Sequence, residues 1–594
     1  MHDYYNLGRY SRPVTTSSSE AQVWFDRGLI WRYAFNHEEA VKCFRKAAEC
    51  DPGCAMAHWG IAYALGPYYN KPWADFNEQD FKQTLVEARR ATEEALALAD
   101  GAAPVEKALI QGLERRYQSD HVADNEELRA WSDAYAGAMR KVYAAFPDDP
   151  DVAALFAEAL MDRTPWQLWN LESGEPAEGA DTVEVVAVLE QSLRLSDERE
   201  VAHPGLIHLY IHAMEMSPHP EQALRPADTL RDLVPDAGHL RHMPSHIDIL
   251  CGDYHSALVA NERAIEADRK YLEREGPFNF YTLSRCHDYH FKLYAAMFLG
   301  QYRPALDAAH EMLATMPEAL LRQATPPMAD WLEGYMPMKA HVLVRFGKWQ
   351  EILDEPLPDD PDLYRATTAV WHYAKGIAYA ALGQTAVAEA EQHRFEEAFA
   401  RVPETRMFFN YRYVDILAVA AEMLRGEIAY RKGDHEAAFA HLRAAVARDD
   451  GLPYDEPWGW MQPTRHALGA LLLEQGHMRE RRRSMRRIWE CIVATDGSRG
   501  TPTTSGACTA MSKPCIGLAG TKRPMTFSLA SIWRCRGPTS RFVRRAFAVS
   551  ATTAARYDQR TVAGVARFSR ETNVCAYPSP QGGIGALTPL STSR

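Results

Sequence analysis

Three observations predict that this sequence folds as an all-α chain of stacked helical hairpins. Apolar residues recur with helical period along residues 21–478. One pattern of small, aromatic and proline residues returns several times with variable insertions. The same stretch shows neither sustained apolar–polar alternation nor an Asn-Gly hairpin signal, so strands are not expected. A length of 594 residues would by itself suggest three or four globular domains; a repeat replaces them with one continuous solenoid. With 46% hydrophobic and 24% charged residues, 35 Gly and 35 Pro, the composition excludes collagen-like, Pro/Gly-rich disordered and disulfide-framework proteins.

Residues 1–20 read as a lead-in without the apolar run of a secretory signal. The first hairpin follows in VWFDRGLIWRYAFNHEEAVKCFRKAAECDP. Here Trp24, Gly28, Trp31, Ala40, Phe44, Ala47 and Pro52 are spaced by 4, 3, 9, 4, 3 and 5. Gly28 and Ala40 are small where two helices must cross, the aromatics fill the gap to the next hairpin, and Pro52 lacks the N–H that would continue a helix. The segment resembles a tetratricopeptide repeat (TPR), which implies a right-handed superhelix with a concave binding face. From about 70 to 150 the helical period persists (FKQTLVEARRATEEALALAD, PVEKALIQGLERRY, LRAWSDAYAGAMRKVYAAF) but leaves the template, which predicts solenoid helices with lengthened loops. A degenerate copy runs from His203 to Pro235, with Ala223, Ala227 and Leu230 in register. Further copies carry Gly252 and Tyr254, Gly300 and Tyr302, Gly347 and Trp349, Gly376 and Gly383, and Gly433 and Ala438; another begins with Gly469 and Gly476. The predicted solenoid is therefore 21–478.

Charge separates the rest. From Arg479 onward 20 Lys and Arg face 5 Asp and Glu, a net of +15, which leaves 46 against 74, or −28, for residues 1–478. The tail holds five of the ten Cys and no helical period, so 479–594 is predicted to be basic and mostly unstructured. Its start in mid-repeat, with sudden loss of Asp and Glu, fits a reading-frame shift near residue 480. A basic arm for nucleic acid or anionic membrane and an extension without a role are the alternatives. Sparse, irregularly spaced Cys suit reduced thiols in the cytoplasm, and no apolar stretch of about 18 residues predicts a membrane span.

Ten of the 22 His fall between His203 and His290, eight of them in the strings HPGLIHLYIHAME, GHLRHMPSH and CHDYH. On the register that the TPR resemblance implies, His208, His212, Glu215, His239, His242, His246, His287, His290, His341 and His466 line the concave groove, with Trp59, Tyr63 and Tyr294 beside them. His58 and His372 fall on buried positions, where a hydrogen-bonded structural His is the ordinary reading. Two functional readings of the groove set stand side by side. In one, imidazoles and aromatic rings hold a peptide, a protein segment or a small ligand. In the other, the i, i+4 pairs His208/His212 and His242/His246, with Glu215 one turn on, hold zinc, iron or copper, completed by His287 or His290. Glu215 follows its pair instead of sitting inside it, so the pattern is not HExxH and implies no zincin mechanism.

The combination HPGLIHLYIHAMEMS, AGHLRHMPSHI, CHDYHFKLYAAM and YDEPWGWMQPTRHALGALLLEQG is similar to a group of bacterial TPR-domain proteins, distantly similar to the tetratricopeptide repeat protein 38 family. The similarity covers roughly 15–478 and implies the fold and the weight of these strings, with no reaction attached. GxxxxGK[ST], GxGxxG and GxSxG are absent, so nucleotide-binding and α/β-hydrolase loops have no support. An acidic solenoid does not suggest a nucleic-acid partner. The sequence thus predicts a cytoplasmic TPR scaffold that binds a partner through a His-rich groove, with a metal-dependent enzyme as the alternative.

Overall fold

Two helices joined by a left-handed turn are the unit from which most of this chain is built. The computed structural model describes residues 4–119, 121, 124–477 and 480. The chain divides into two units, Met1–Lys522 and Arg523–Arg594, and every described residue belongs to the first. The readings of the tail at 479–594 lie outside the described residues, apart from Glu480, which pairs with Arg443.

The first half comprises α1 (Ser19–Tyr33), α2 (His37–Cys50), α3 (Ala55–Leu65), α4 (Glu78–Leu98), α5 (Pro104–Leu113), α6 (Asn125–Ala145), α7 (Pro150–Met161), α8 (Thr182–Glu198), α9 (Pro204–Glu215), α10 (Leu224–Leu230), α11 (Gly238–His242) and α12 (Pro244–Leu250). The second comprises α13 (Tyr254–Glu275), α14 (Thr282–Phe298), α15 (Tyr302–Ala314), α16 (Glu318–Leu321), α17 (Met328–Leu332), α18 (Met338–Arg345), α19 (Trp349–Asp354), α20 (Arg365–Ala381), α21 (Thr385–Phe399), α22 (Tyr413–Lys432), α23 (His435–Asp450) and α24 (Thr464–Glu474). The all-α expectation is met except for a short antiparallel pair, β1 (Met407–Phe408) and β2 (Tyr411–Arg412). The off-template stretch forms α4 to α7, as its periodicity predicted.

The helices begin where short polar side chains can cap them. The side chains of Ser18, Asn36 and Asp434 accept the exposed backbone N–H groups of Ala21, Glu39 and Ala437. Small residues then allow close crossing. A Cβ on Gly28 would stand 2.7 Å from the Phe44 ring, and one on Gly60 would stand 2.4 Å from it. Glycines on α1 and α3 thus admit a single aromatic ring of α2 between them. Phe44 is fully buried, and its truncation to Ala would cost about 3–5 kcal/mol. Gly426 of α22 and Leu442 of α23 repeat the device at 2.9 Å.

The buried apolar residues form two clusters, one from Tyr5 to Tyr281 and one from Ile249 to Leu472, which adjoin at α12 to α14. That seam carries the His-rich strings. Among the described residues no helix is long and apolar enough to cross a membrane.

Candidate functional site

Helical spacing puts His208, His212 and Glu215 on one face of α9, and places His239 and His242 on α11 ahead of His246 on α12. α14 adds His287 from the far side of the seam. Tertiary packing brings these helices together, and the ligand atoms fall into three groups: His208/His212/His239, His212/Glu215/His246 and His242/His246/His287. Within each group the atoms lie within 4.8 Å of one another. His212 and His246 each belong to two groups, so the three form one continuous cluster.

Four of the imidazoles are oriented through Nδ1. His208 Nδ1 donates to the Tyr33 carbonyl at 2.6 Å, which leaves a lone pair on Nε2. His242 Nδ1 donates to Asn261 Oδ1 at 2.8 Å, and the amide is fixed in that sense because Asn261 Nδ2 donates to the Ala257 carbonyl. Nδ1 of His212 and Nδ1 of His246 meet the two oxygens of Glu215, each at 2.8 Å. An acceptor behind the ring is the arrangement that holds an imidazole ready to bind metal through its other nitrogen.

A second carboxyl closes the site. Glu456, in the connection between α23 and α24, contacts His246 Nδ1 and the Tyr454 hydroxyl, and Tyr454 also donates to the Glu215 carbonyl at 3.0 Å. Burial pushes both Glu215 and Glu456 well above the usual carboxylate range; the charge and hydrogen bond of Glu456 push Glu215 up further, and Asp455 adds to the rise at Glu456 against the hydrogen bonds from Tyr454 and Glu215. The dyad therefore keeps a proton at neutral pH. Burial also pushes the imidazoles down, His242 to about 4 and His208 to about 3, with His212, His239, His246 and His287 lowered further by their neighbours. All six are neutral at pH 7, the form in which imidazole binds metal.

Five buried nitrogens of this cluster have no hydrogen-bond partner among the described residues: His208 Nε2, His212 Nε2, both nitrogens of His239 and His287 Nδ1. A sixth contact is saturated in a way that depends on one proton. The Nε2 atoms of His242 and His246 are 2.7 Å apart, and His242 must present a lone pair there. Either a protonated carboxyl of the dyad donates a hydrogen bond to His246 Nδ1, so that the neutral ring carries its proton on Nε2 and donates to His242, or both Nε2 lone pairs meet a cation.

The predicted groove residues are interior, which corrects the expectation of an open concave face. His208, His212 and His242 have no exposed surface, and His239, His246 and His287 have 6% or less. The reason is the connection 451–463, whose Tyr454, Glu456, Trp458, Trp460 and Met461 are buried in the space that a groove would leave open. Met461 Sδ contacts His290 Nε2 at 2.8 Å, Gln462 donates to the His341 carbonyl, and the Trp460 ring packs on the His341 ring. Tyr294 packs against Trp458, and His466 packs near Phe298. Trp59 and Tyr63 stack on each other beside Arg32 and Glu158, apart from the imidazoles. Of the residues expected to be structural, His372 is buried against Glu391, whereas His58 is half-buried beside Glu94.

Sequence reasoning did not single out Tyr454, Asp455 and Glu456, although they stand in the quoted string YDEPWGWMQ. An acidic pair inside an aromatic run is unusual for a solvated loop, and that was the available signal. It also passed over Phe35, whose ring centroid lies 4.3 Å from that of His208, 5.6 Å from His212 and 5.5 Å from His239.

Residues 21–54 match the sequence profile of the tetratricopeptide repeat family, so the chain carries a TPR hairpin where the first was expected. No curated protein matches it. Among solved structures, human IFIT1 dimer with m7Gppp-AAAA is 11% identical, over 82% of this chain and 92% of that one, with a TM-score of 0.32. The TPR domain of P58(IPK) is 12% identical, over 77% of this chain and 99% of that one, with a TM-score of 0.18.

Proposed function

We propose that this TPR-type solenoid encloses a divalent transition metal, zinc, iron or copper, in its imidazole cluster and acts through it on a small ligand. The observation that carries the reading is the set of buried imidazole nitrogens with no partner. Each unsatisfied buried polar atom costs about 1–3 kcal/mol, and a cation shared among converging Nε2 lone pairs satisfies several at once. His212 and His246, which each belong to two of the groups, are the central ligands in this reading, with His208, His239, His242 and His287 around them. A metal held this way acidifies a bound water or polarises a carbonyl. The Glu215–Glu456 dyad, which holds one proton between two carboxyls, is placed to give or take a proton beside it.

The hairpin stack and the repeat match fit a binding scaffold in the broad sense. A peptide held along the His-lined face is the weaker reading, because the chain's own segment 451–463 occupies that space. The free thiols at Cys43, Cys50, Cys54, Cys251 and Cys286 suit a cytoplasmic setting.

Elemental analysis of protein purified without a His tag tests the proposal. Close to one or more equivalents of a transition metal are expected, lost in His242→Ala. Less than about 0.2 equivalents of any such metal, unchanged in that variant and after incubation with zinc, iron or copper salts, would sink it.

A further inference from the structure

The turns between paired helices share one geometry. Gly252, Gly300, Gly347, Gly383 and Gly433 each take a left-handed φ of 64–85°. In each, the N–H of the next residue bonds back five residues, as in Asp253 to Asp248 and Gln301 to Ala296. The first hairpin makes the same bond from Asn36 to Trp31, and the left-handed residue there is Phe35, with φ 54°. A bulky residue in that conformation is strained, and such strain concentrates at functional sites.

The ring it places separates two spaces. On one side lie the imidazoles of His208, His212 and His239. On the other is a cavity of about 520 Å³ that Phe35 lines together with Tyr68, Phe76, Phe280 and Tyr281. Tyr281 continues the partition, since its hydroxyl accepts the His239 N–H at 3.1 Å and donates to Asp268 at 3.0 Å. The cavity is lined by both charge signs, Glu38, Asp80 and Glu87 beside Lys42, Arg45 and Lys71, and Asp80 and Glu38 act on Lys71 electrostatically without a direct contact. The Lys71 ammonium stands 4.4 Å and 4.3 Å above the rings of Phe76 and Phe280 and makes no hydrogen bond or ion pair among the described residues. Asn36, 1% exposed, leaves Nδ2 without a partner.

We propose that this cavity binds a small aromatic carboxylate and that Phe35 is the inner wall controlling its passage to the imidazole cluster. Aromatic walls suit a planar ring, and Lys71 with Asn36 Nδ2 suits an acceptor oxygen. The proposal deepens the metal reading by giving the centre an entrance, but its test needs no metal. The probe is diethyl pyrocarbonate, which acylates neutral imidazole, applied to metal-stripped full-length protein with the sites mapped by mass spectrometry. Exposed His219, His255 and His310 report the reagent's activity.

In the wild type His208, His212 and His239 are expected to stay unlabelled. Phe35→Gly, which installs the residue that the other turns use, is expected to label them at least about tenfold faster. Adding Ser284→Trp, which fills the cavity, is expected to restore protection, as is millimolar benzoate in the single variant. Unchanged labelling in Phe35→Gly, or acceleration that Ser284→Trp leaves intact, overturns the partition. Labelling of His290 and His341 to the same extent signals general loosening and overturns it too. A benzoate effect absent at saturating concentration overturns the ligand class. Failure of the metal reading shows instead in the metal content of the wild type.

Discussion

Two kinds of buried histidine occur in this solenoid, and they differ in what completes their ring nitrogens. His203 and His372 are each paired with one carboxylate: His203 Nε2 with Asp151 at 3.1 Å, while its Nδ1 caps α9 by accepting the Leu206 N–H, and His372 Nδ1 with Glu391 at 2.8 Å. The cluster of α9, α11, α12 and α14 also sets His212 and His246 against carboxyls, but it turns its imidazoles toward one another as well. Burial is comparable there, and five ring nitrogens have no partner among the described residues. A histidine beside an acid completes itself within the protein; histidines facing each other are completed only by a proton or a cation.

The largest expected separation between the two kinds is in metal-dependent stability. At 100 times the dissociation constant, a metal that binds only the folded state adds about 2.7 kcal/mol. Zinc titration followed by thermal unfolding should show that gain in the wild type and in His372→Ala, and none in His246→Ala. Equal gains in all three would erase the distinction.

The acid-paired class should respond to loss of its acid. Burial alone would raise the Asp151 carboxyl, but His203, Arg12 and the Tyr33 hydroxyl outweigh it and hold the group below the usual carboxylate range. A depressed folded-state pKa contributes stability that is present above the unfolded value and fades as pH falls through it toward the folded one. Asp151→Asn should therefore cost about 3 kcal/mol in urea unfolding at pH 7. The gap to the wild type should narrow only below pH ~4.

His341 tests the sign for a buried imidazole without an acid. Burial lowers it to about 4, so the unfolded chain takes up its proton first and stability falls as pH drops below the unfolded value. Between pH 7 and 5 the wild type should lose about 2 kcal/mol more than His341→Phe, which cannot titrate. An equal loss would show that His341 has a proton acceptor nearby after all. The smallest effect is expected at Glu391→Gln, about 1 kcal/mol or less, because this carboxylate also meets half-exposed Arg394. Its metal content should not change.

How much of this was legible depends on range along the chain. Hairpin boundaries follow local rules: Gly28 lies at a helix crossing as its spacing predicts, with Phe44 filling the gap to Gly60 of the next hairpin, and the in-register glycines take the left-handed turns. The shared face of His208, His212 and Glu215, and the pairing of His242 with His246, were also foreseeable, because i, i+4 spacing fixes a common helical face; that the two sets meet is the work of packing. Glu456 was not, since it approaches His246 from 210 positions along the sequence. The same is true of the Tyr33 carbonyl that orients His208 across 175 positions.

The sequence by itself determined an all-α repeat, its turns, and which side chains share a face, because helical periodicity and backbone sterics act over a few residues. Whether that face met solvent was decided only by tertiary structure. The connection 451–463 carries no periodicity to say where it goes, and its aromatic and acidic residues gain their burial and partners against segments from about 45 to more than 200 positions away. That packing turned a predicted groove into an enclosed cluster and left buried imidazole nitrogens without partners among the described residues.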